Sequence, residues 1–159
     1  MDYSALLRRI EGWSRELGFQ QLGVTDVDLA SAEARFRRWI AARMQGTMSY
    51  LERNVEKRLH PERLVPGTIR IISVRIDYLT PPPPEVLADS ACAYVSRYAL
   101  GRDYHKTVRS RLARLAARIQ PEAGGQHRAF VDSAPVMEKA VAVNAGLGWQ
   151  GKNSLVLYE

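Results

Sequence analysis

The sequence has one cysteine, Cys92, in 159 residues. A single thiol excludes an intrachain disulfide framework and any zinc or iron–sulfur centre held by cysteines of this chain alone. Such sparing cysteine use suits a reducing cytoplasm. Long apolar runs are also missing: nothing approaches the roughly 20 consecutive apolar residues that span a bilayer. The start, Met1-Asp2-Tyr3-Ser4, lacks the basic segment and following apolar segment of a secretory leader. Neither secretion nor membrane spanning is expected. Histidine is scarce, and His60, His105 and His127 show no spacing with cysteine or carboxylate that resembles a metal site.

What is present suits one globular domain. With 46% hydrophobic and 25% charged residues, a chain of this length buries roughly 68–70% of its unfolded surface, enough for a core without cross-links. Lys and Arg outnumber Asp and Glu by 23 to 17, a formal charge of +6. The excess suits a polyanionic partner, RNA or DNA first, and equally suits a plain solvated surface.

Leu6, Leu7, Ile10, Trp13 and Leu17 recur at helical spacing before Gly18, which predicts a helix over residues 4 to 17. A strand over 21 to 27 and a helix over 30 to 44, closed by Gly46, follow. Residues 47 to 66 have no long apolar period and read as short helical turns joined by loops. Ile69 to Tyr78 is rich in β-branched residues, and the strand it predicts stops at the prolines of 81 to 84. Alternation over Ala91 to Tyr98 predicts another strand, with Cys92 as a small core residue. Asp103 is an expected N-cap for a helix to Gln120, along which Arg111, Arg114 and Arg118 form a row. A strand over 127 to 131, a helix from Pro135 to about Ala145 and a strand over 153 to 158 complete the reading. The interleaving predicts an α/β or α+β fold, a mixed-sheet sandwich flanked by helices, without internal repeat.

Two stretches invite chemistry. Gly146-Leu147-Gly148-Trp149-Gln150-Gly151-Lys152-Asn153 matches GxGxxG and nearly all of GxxxxGK[ST]. Both nucleotide patterns need a strand before the glycines and a helix after, so that phosphate meets a helix N-terminus. Here the predicted order is reversed, and Asn153 replaces the hydroxyl that would bind magnesium. The glycines are then sites where backbone approaches something closely. Asp132, after one predicted element and before another, is either an acid or base or the cap of a helix opened by Pro135. Spacing alone favours the cap.

Met48 to Leu51, Glu56-Lys57-Arg58 with Pro61, Ser96-Arg97-Tyr98, Gly101 to Lys106, Val131 to Pro135 and Ala145 to Asn153 together resemble epoxyqueuosine reductase, in that family's order and over nearly the whole chain. The family is the cobalamin-dependent iron–sulfur group acting last in queuosine biosynthesis on tRNA. The resemblance implies that residues 1–159 are a single cobalamin-binding catalytic domain, similar to nitroreductase-like and reductive-dehalogenase cobalamin domains, and a fragment of a longer protein. It implies Asp132 as proton donor to the epoxide oxygen, with Arg58, Ser96, Asp132, Lys152, Asn153 and Val156 against the cobalamin. The resemblance also implies that position 96 is variable, with Cys in some members, which argues against cobalt ligation by Ser96. The family's two [4Fe–4S] clusters belong to a further domain, since one cysteine cannot bind them. The implied partners are tRNA carrying epoxyqueuosine and a reductant for the cofactor, with no membrane and a monomeric chain. Two rival readings stand beside this one: a basic RNA-binding module without chemistry, and a flavin-binding nitroreductase-like domain.

Overall fold

The computed structural model describes residues 2–81 and 83–158; Met1, Glu159 and Pro82 of the proline run lie outside them. The elements in chain order are α1 (Tyr3–Glu16), β1 (Gln21–Thr25), α2 (Ala30–Ala41), α3 (Val55–Leu59), α4 (Pro61–Leu64), β2 (Ile71–Arg75), α5 (Pro84–Ala88), α6 (Tyr104–Ala123), α7 (Glu138–Asn144), β3 (Trp149–Gln150) and β4 (Val156–Leu157). Single 3-10 turns occupy Ser49–Leu51 and Arg97–Ala99. The described residues form two compact units, one from residues 1–20 and 76–131, the other from 21–75 and 132–159.

In the first unit α1 packs on α6. Asp2 caps α1, its Oδ1 accepting the N–H groups of Ser4 and Ala5 at 2.9 and 3.1 Å. At the other end Gly18 takes φ +83. Its N–H donates to Arg15 O, and the Phe19 N–H donates to Ser14 O, which together close the helix. This turn drives Phe19 inward to 1% exposure beside the buried Leu6, Ile10, Leu17 and Leu115 of the unit. Asp103 caps α6 by accepting the His105 N–H at 3.0 Å. The arginine row of α6 is partly committed to this packing: Arg118 donates to Glu16 of α1, and Arg111 lies against Gly18. Arg114 alone of the three is exposed.

The second unit is built on two antiparallel ladders. β1 pairs with β2 from Gln21 opposite Arg75 to Thr25 opposite Ile71, and β3 pairs with β4. Helix α7 packs on all four strands, with Val141 at 2% exposure and Leu29, Leu59 and Leu147 also buried. Gly146 (φ +76) ends α7 as Gly18 ends α1, the Leu147 N–H donating to Ala142 O.

Several expectations are corrected. The fold is mixed α/β, but the described residues pair only as these two-stranded antiparallel ladders and contain no mixed sheet. Residues 91 to 98 form no strand. The Asp89 carboxylate accepts the Ala91 N–H at 2.8 Å and the Asp89 carbonyl accepts the Cys92 N–H, turning the chain where the ladder was expected to begin. Cys92 is accordingly exposed rather than in the core. Residues 127 to 131, which follow Gly124 and Gly125 at positive φ, also join no ladder. The helix expected from Pro135 begins at Glu138, because a tight turn, Val136 N–H to Ala134 O at 2.8 Å, intervenes.

Candidate active site around the Asp132 loop

Asp132 does not cap a helix. It is exposed, and its backbone sits at φ +54, a left-handed conformation that costs a non-glycine residue about 1–2 kcal/mol and that aspartate tolerates better than most. The capping reading fails because α7 starts six residues on, with Met137 in the cap position. The hydrogen bond runs the other way: the Asp132 N–H donates to Glu138 Oε1 at 3.0 Å. Loss of water around the Glu138 carboxyl pushes its pKa up, and the charge and side-chain hydrogen bond of Asp132 push it further. The Asp132 N–H and the Lys139 ammonium oppose the rise without cancelling it.

Arg58 belongs to the same unit. Its helix, α3, is braced by Glu56, which pairs with Arg37 of α2 at 2.8 Å and with Arg63 of α4 at 3.0 Å. The hydrogen bond from Arg37, ahead of the charges of Arg37 and Arg63, holds the Glu56 carboxyl below its ordinary range. Arg58 Nε is buried without a hydrogen-bond partner among the described residues, while its guanidinium stands 5.9 Å from the centre of the Tyr50 ring. A buried cationic donor left open in this way fits a polar ligand group.

Lys152 and Asn153 occupy the turn between β3 and β4. Asn153 Oδ1 accepts the Leu155 N–H at 3.1 Å and so shapes the turn, leaving Lys152 exposed at its tip. Val156 lies opposite Gln150 in the ladder, and Gln150 Oε1 accepts a hydrogen bond from Arg35 of α2 at 2.8 Å. Arg58, Asp132, Lys152, Asn153 and Val156 therefore share one unit, joined through α2 and α7. Ser96 belongs to the other unit, exposed at the start of a 3-10 turn where its carbonyl accepts the Ala99 N–H at 3.0 Å.

The glycine loop has the reversed polarity expected of it, with α7 before and β3 after. A Cβ on Gly148 would lie 2.0 Å from the Leu157 carbonyl oxygen. Its close approach is made to the chain's own β4, which explains the glycine without a nucleotide. A cavity of about 490 Å³ bounded in part by Asp26, Asp28, Glu33, His60 and Glu62 contains none of the predicted site residues.

Sequence reasoning missed Glu138. The available signal was a second carboxylate shortly after Asp132, obscured by the expectation that Pro135 opened the helix. It also quoted Glu56 only as a neighbour of Arg58, although Glu56 is the group that holds α2, α3 and α4 together.

The mixed α/β scaffold thus carries an exposed carboxylate at a left-handed backbone position, a second carboxyl beside it and a buried arginine Nε, and its glycine loop lacks the strand-then-helix order of a nucleotide-binding loop. The family profile described as epoxyqueuosine reductase QueG, DUF1730, matches residues 58–133. Among curated relatives, the epoxyqueuosine reductase of Pseudomonas aeruginosa is 56% identical over 98% of this chain and 44% of its own length. That of Escherichia coli is 45% identical over 99% of this chain and 42% of its own. The chain corresponds to the N-terminal region of epoxyqueuosine reductases. It spans less than half the length of these relatives. A structure of epoxyqueuosine reductase from Streptococcus thermophilus aligns with TM-score 0.77 at 25% identity, over 94% of this chain and 41% of that one. A crystal structure of an epoxyqueuosine reductase with a tRNA-Tyr epoxyqueuosine-modified tRNA stem loop aligns with TM-score 0.78 at 23% identity, over 96% and 41%, and establishes the same fold.

Proposed function

We propose that this chain is the cobalamin-binding part of a tRNA-modifying oxidoreductase that reduces epoxyqueuosine to queuosine, with Asp132 as proton donor. The observation that carries the reading is the Asp132 carboxyl, exposed on a left-handed backbone position beside Glu138. Strain of this kind is kept where surrounding structure enforces it, commonly at catalytic loops. A relative from Bacillus subtilis has been captured with an aspartate catalytic loop swung out of its active site, which supports a loop of this type as the working part.

The residues present fit cobalamin. Arg58, with its buried Nε open, and Lys152 offer donors to the cofactor's amide and phosphate groups; Asn153 and the backbone at Val156 border the same unit, and Ser96 is carried by resemblance alone. When bound, cobalamin supplies the electrons for reductive loss of the epoxide oxygen. Asp132 holds a proton and delivers it to that oxygen, which otherwise leaves as a poor anionic group. The family's [4Fe–4S] clusters do not fit this chain, because a cluster takes four thiolates and the sequence has one cysteine.

Under this reading residues 1–159 work as one cobalamin-binding domain, similar to nitroreductase-like and reductive-dehalogenase cobalamin domains. The substrate is tRNA carrying epoxyqueuosine, an external reductant recharges the cofactor, and the chain is monomeric and cytoplasmic.

The test is a visible-spectrum titration of the chain with cob(II)alamin followed by gel filtration, comparing wild type with Arg58→Ala and Asp132→Ala. Co-migration of colour with wild-type protein, weakened in Arg58→Ala, is the expected result. A folded chain that lets cobalamin pass unbound would overturn the assignment of the pocket to these residues. The same chain emerging yellow with bound flavin would point to the nitroreductase-like alternative.

A further inference from the structure

Between residues 78 and 105 the first unit gathers aromatic rings at its surface instead of in its core. Tyr78 meets Tyr98 edge to face, with ring centres 6.5 Å apart and planes at 78°. Tyr98 meets Tyr104 in the same way at 6.1 Å and 84°, and Tyr104 stacks on His105 at 4.1 Å. The His105 ring is in turn 2.9 Å from Asp103, the cap of α6, which anchors the series on the helix start. Its outer members stay open: Tyr78 is 60% exposed, Tyr98 55% and the nearby Tyr94 54%. Aromatic rings stabilise a fold most when buried. Rings held at fixed angles by their neighbours, yet left in water, are surfaces onto which another flat group can pack.

The charges around the rings select the partner. Arg97 sets its guanidinium 5.3 Å from the centre of the Tyr94 ring, and its Nε is buried without a hydrogen-bond partner among the described residues. An anionic or carbonyl oxygen satisfies a cationic donor in that state. From Arg97 to Arg118 the chain has seven Lys or Arg and one acidic residue, Asp103, whose carboxylate is already engaged by His105. Arg102 and Lys106 are both exposed. Rings beside cations suit a single nucleic-acid strand, whose bases stack on the aromatic faces while its phosphates meet the cations. A protein partner suits them less, because the core of a protein interface is depleted of charge.

We propose that Tyr78, Tyr94 and Tyr98, with Arg97, Arg102 and Lys106, form a surface that stacks unpaired bases of RNA. The inference rests on the reading of tRNA as the substrate, and it gives unpaired nucleotides of that RNA a place on the first unit. Tyrosines that served only to support the start of α6 would be indifferent to RNA.

The test is fluorescence anisotropy with the 159-residue chain and two labelled, unmodified RNAs, without cobalamin: a hairpin with an unpaired loop, and a fully paired duplex of the same stem. Tyr78→Leu and Tyr98→Leu should each weaken hairpin binding by about 5- to 150-fold, the range for losing one stacked base, and leave duplex affinity unchanged. Tyr98→Phe keeps the ring and should bind as wild type. Combining Arg102→Gln with Lys106→Gln should weaken both RNAs and flatten the salt dependence. In the wild-type chain, ring-proton resonances of Tyr78 and Tyr98 should move upfield when the hairpin is added, a readout that needs no variant to fold. The proposal is overturned by a chain that binds neither RNA, by leucine variants that leave hairpin affinity unchanged or weaken hairpin and duplex equally, or by rings whose resonances ignore the hairpin. Self-association lost in Tyr98→Leu with RNA affinity untouched would assign the surface to protein and overturn it too. Unmodified RNA and an absent cofactor keep the two readings apart. Failure of the cobalamin or epoxide chemistry leaves this binding intact, whereas a hairpin held equally by wild type and leucine variants keeps tRNA as the substrate and removes this surface.

Discussion

The backbone of Gly23 in β1 lies so close to α7 that a Cβ there would stand 2.0 Å from the carbonyl oxygen of Ala145. No rotamer relieves such a clash, because the opposing atom is backbone. Helix α7 begins at Glu138, six residues after Asp132, and its C-cap residue Ala145 is seated against β1. Gly23→Ala should destabilise the chain by about 2–3 kcal/mol, read as a lower urea midpoint. A midpoint equal to wild type would show that α7 is not seated on β1 in this way.

Glu56 and Glu138 should shape the pH dependence of stability with opposite signs. The folded value of Glu56 is lowered, first by its hydrogen bond from Arg37, so its contribution is present above the unfolded glutamate range and is lost as pH falls through the lowered folded value. That of Glu138 is raised, first by desolvation, so its contribution is present below the unfolded range and is lost as pH rises through the raised folded value. Urea midpoints measured against pH should therefore lose part of their acid-side decline in Glu56→Gln and part of their decline on the rising side in Glu138→Gln. Parallel curves for both variants and wild type would contradict the two assignments.

Cys92 is exposed, yet its Sγ donates to Asp89 Oδ2 at 3.2 Å. That hydrogen bond is the larger of two causes that raise the thiol pKa. The thiol form is inert toward disulfide reagents, so accessibility alone overstates its reactivity. Asp89→Asn should speed labelling by an aromatic disulfide at neutral pH, by a few-fold, with Cys92 still the site modified. A slower rate in the variant would mean that the carboxylate activates the thiol instead.

Amphipathic helices were the most legible part of this sequence. The spacing of Leu6, Ile10 and Leu17 placed α1 within a residue of its observed bounds, and β-branched density located β2, because burial on one face imposes a period on the chain. Residues 91 to 98 carry the alternation of a strand without becoming one, since a ladder requires a partner and Asp89 offers the backbone a local alternative. The candidate site was legible only in part. Resemblance pointed to Asp132, but its left-handed backbone and its bond to Glu138 follow from a turn at 134–136 that has no periodic trace. Spacing set Arg111, Arg114 and Arg118 in a row along α6 but gave no sign that Arg118 donates to Glu16 of the neighbouring helix; the partner of a long-range ion pair is set by packing, which spacing along one helix does not encode.

Gly146 and Gly148 separate a conformational requirement from a packing one. Gly146 has φ +76 with open space where a Cβ would stand, so Gly146→Ala adds only left-handed backbone strain, about 1–2 kcal/mol. Gly148, at φ +151, would place its Cβ 2.0 Å from the Leu157 oxygen and 3.2 Å from Val156 Cγ1. Gly148→Ala therefore combines a glycine-only conformation with displacement of β4, at a cost of at least about 3 kcal/mol. The larger loss should come with weaker amide-exchange protection at Leu157, and neither substitution should alter the response to added nucleotide. A nucleotide-dependent stabilisation abolished by both would restore the phosphate-loop reading; equal losses for the two variants would show that β4 does not press on Gly148.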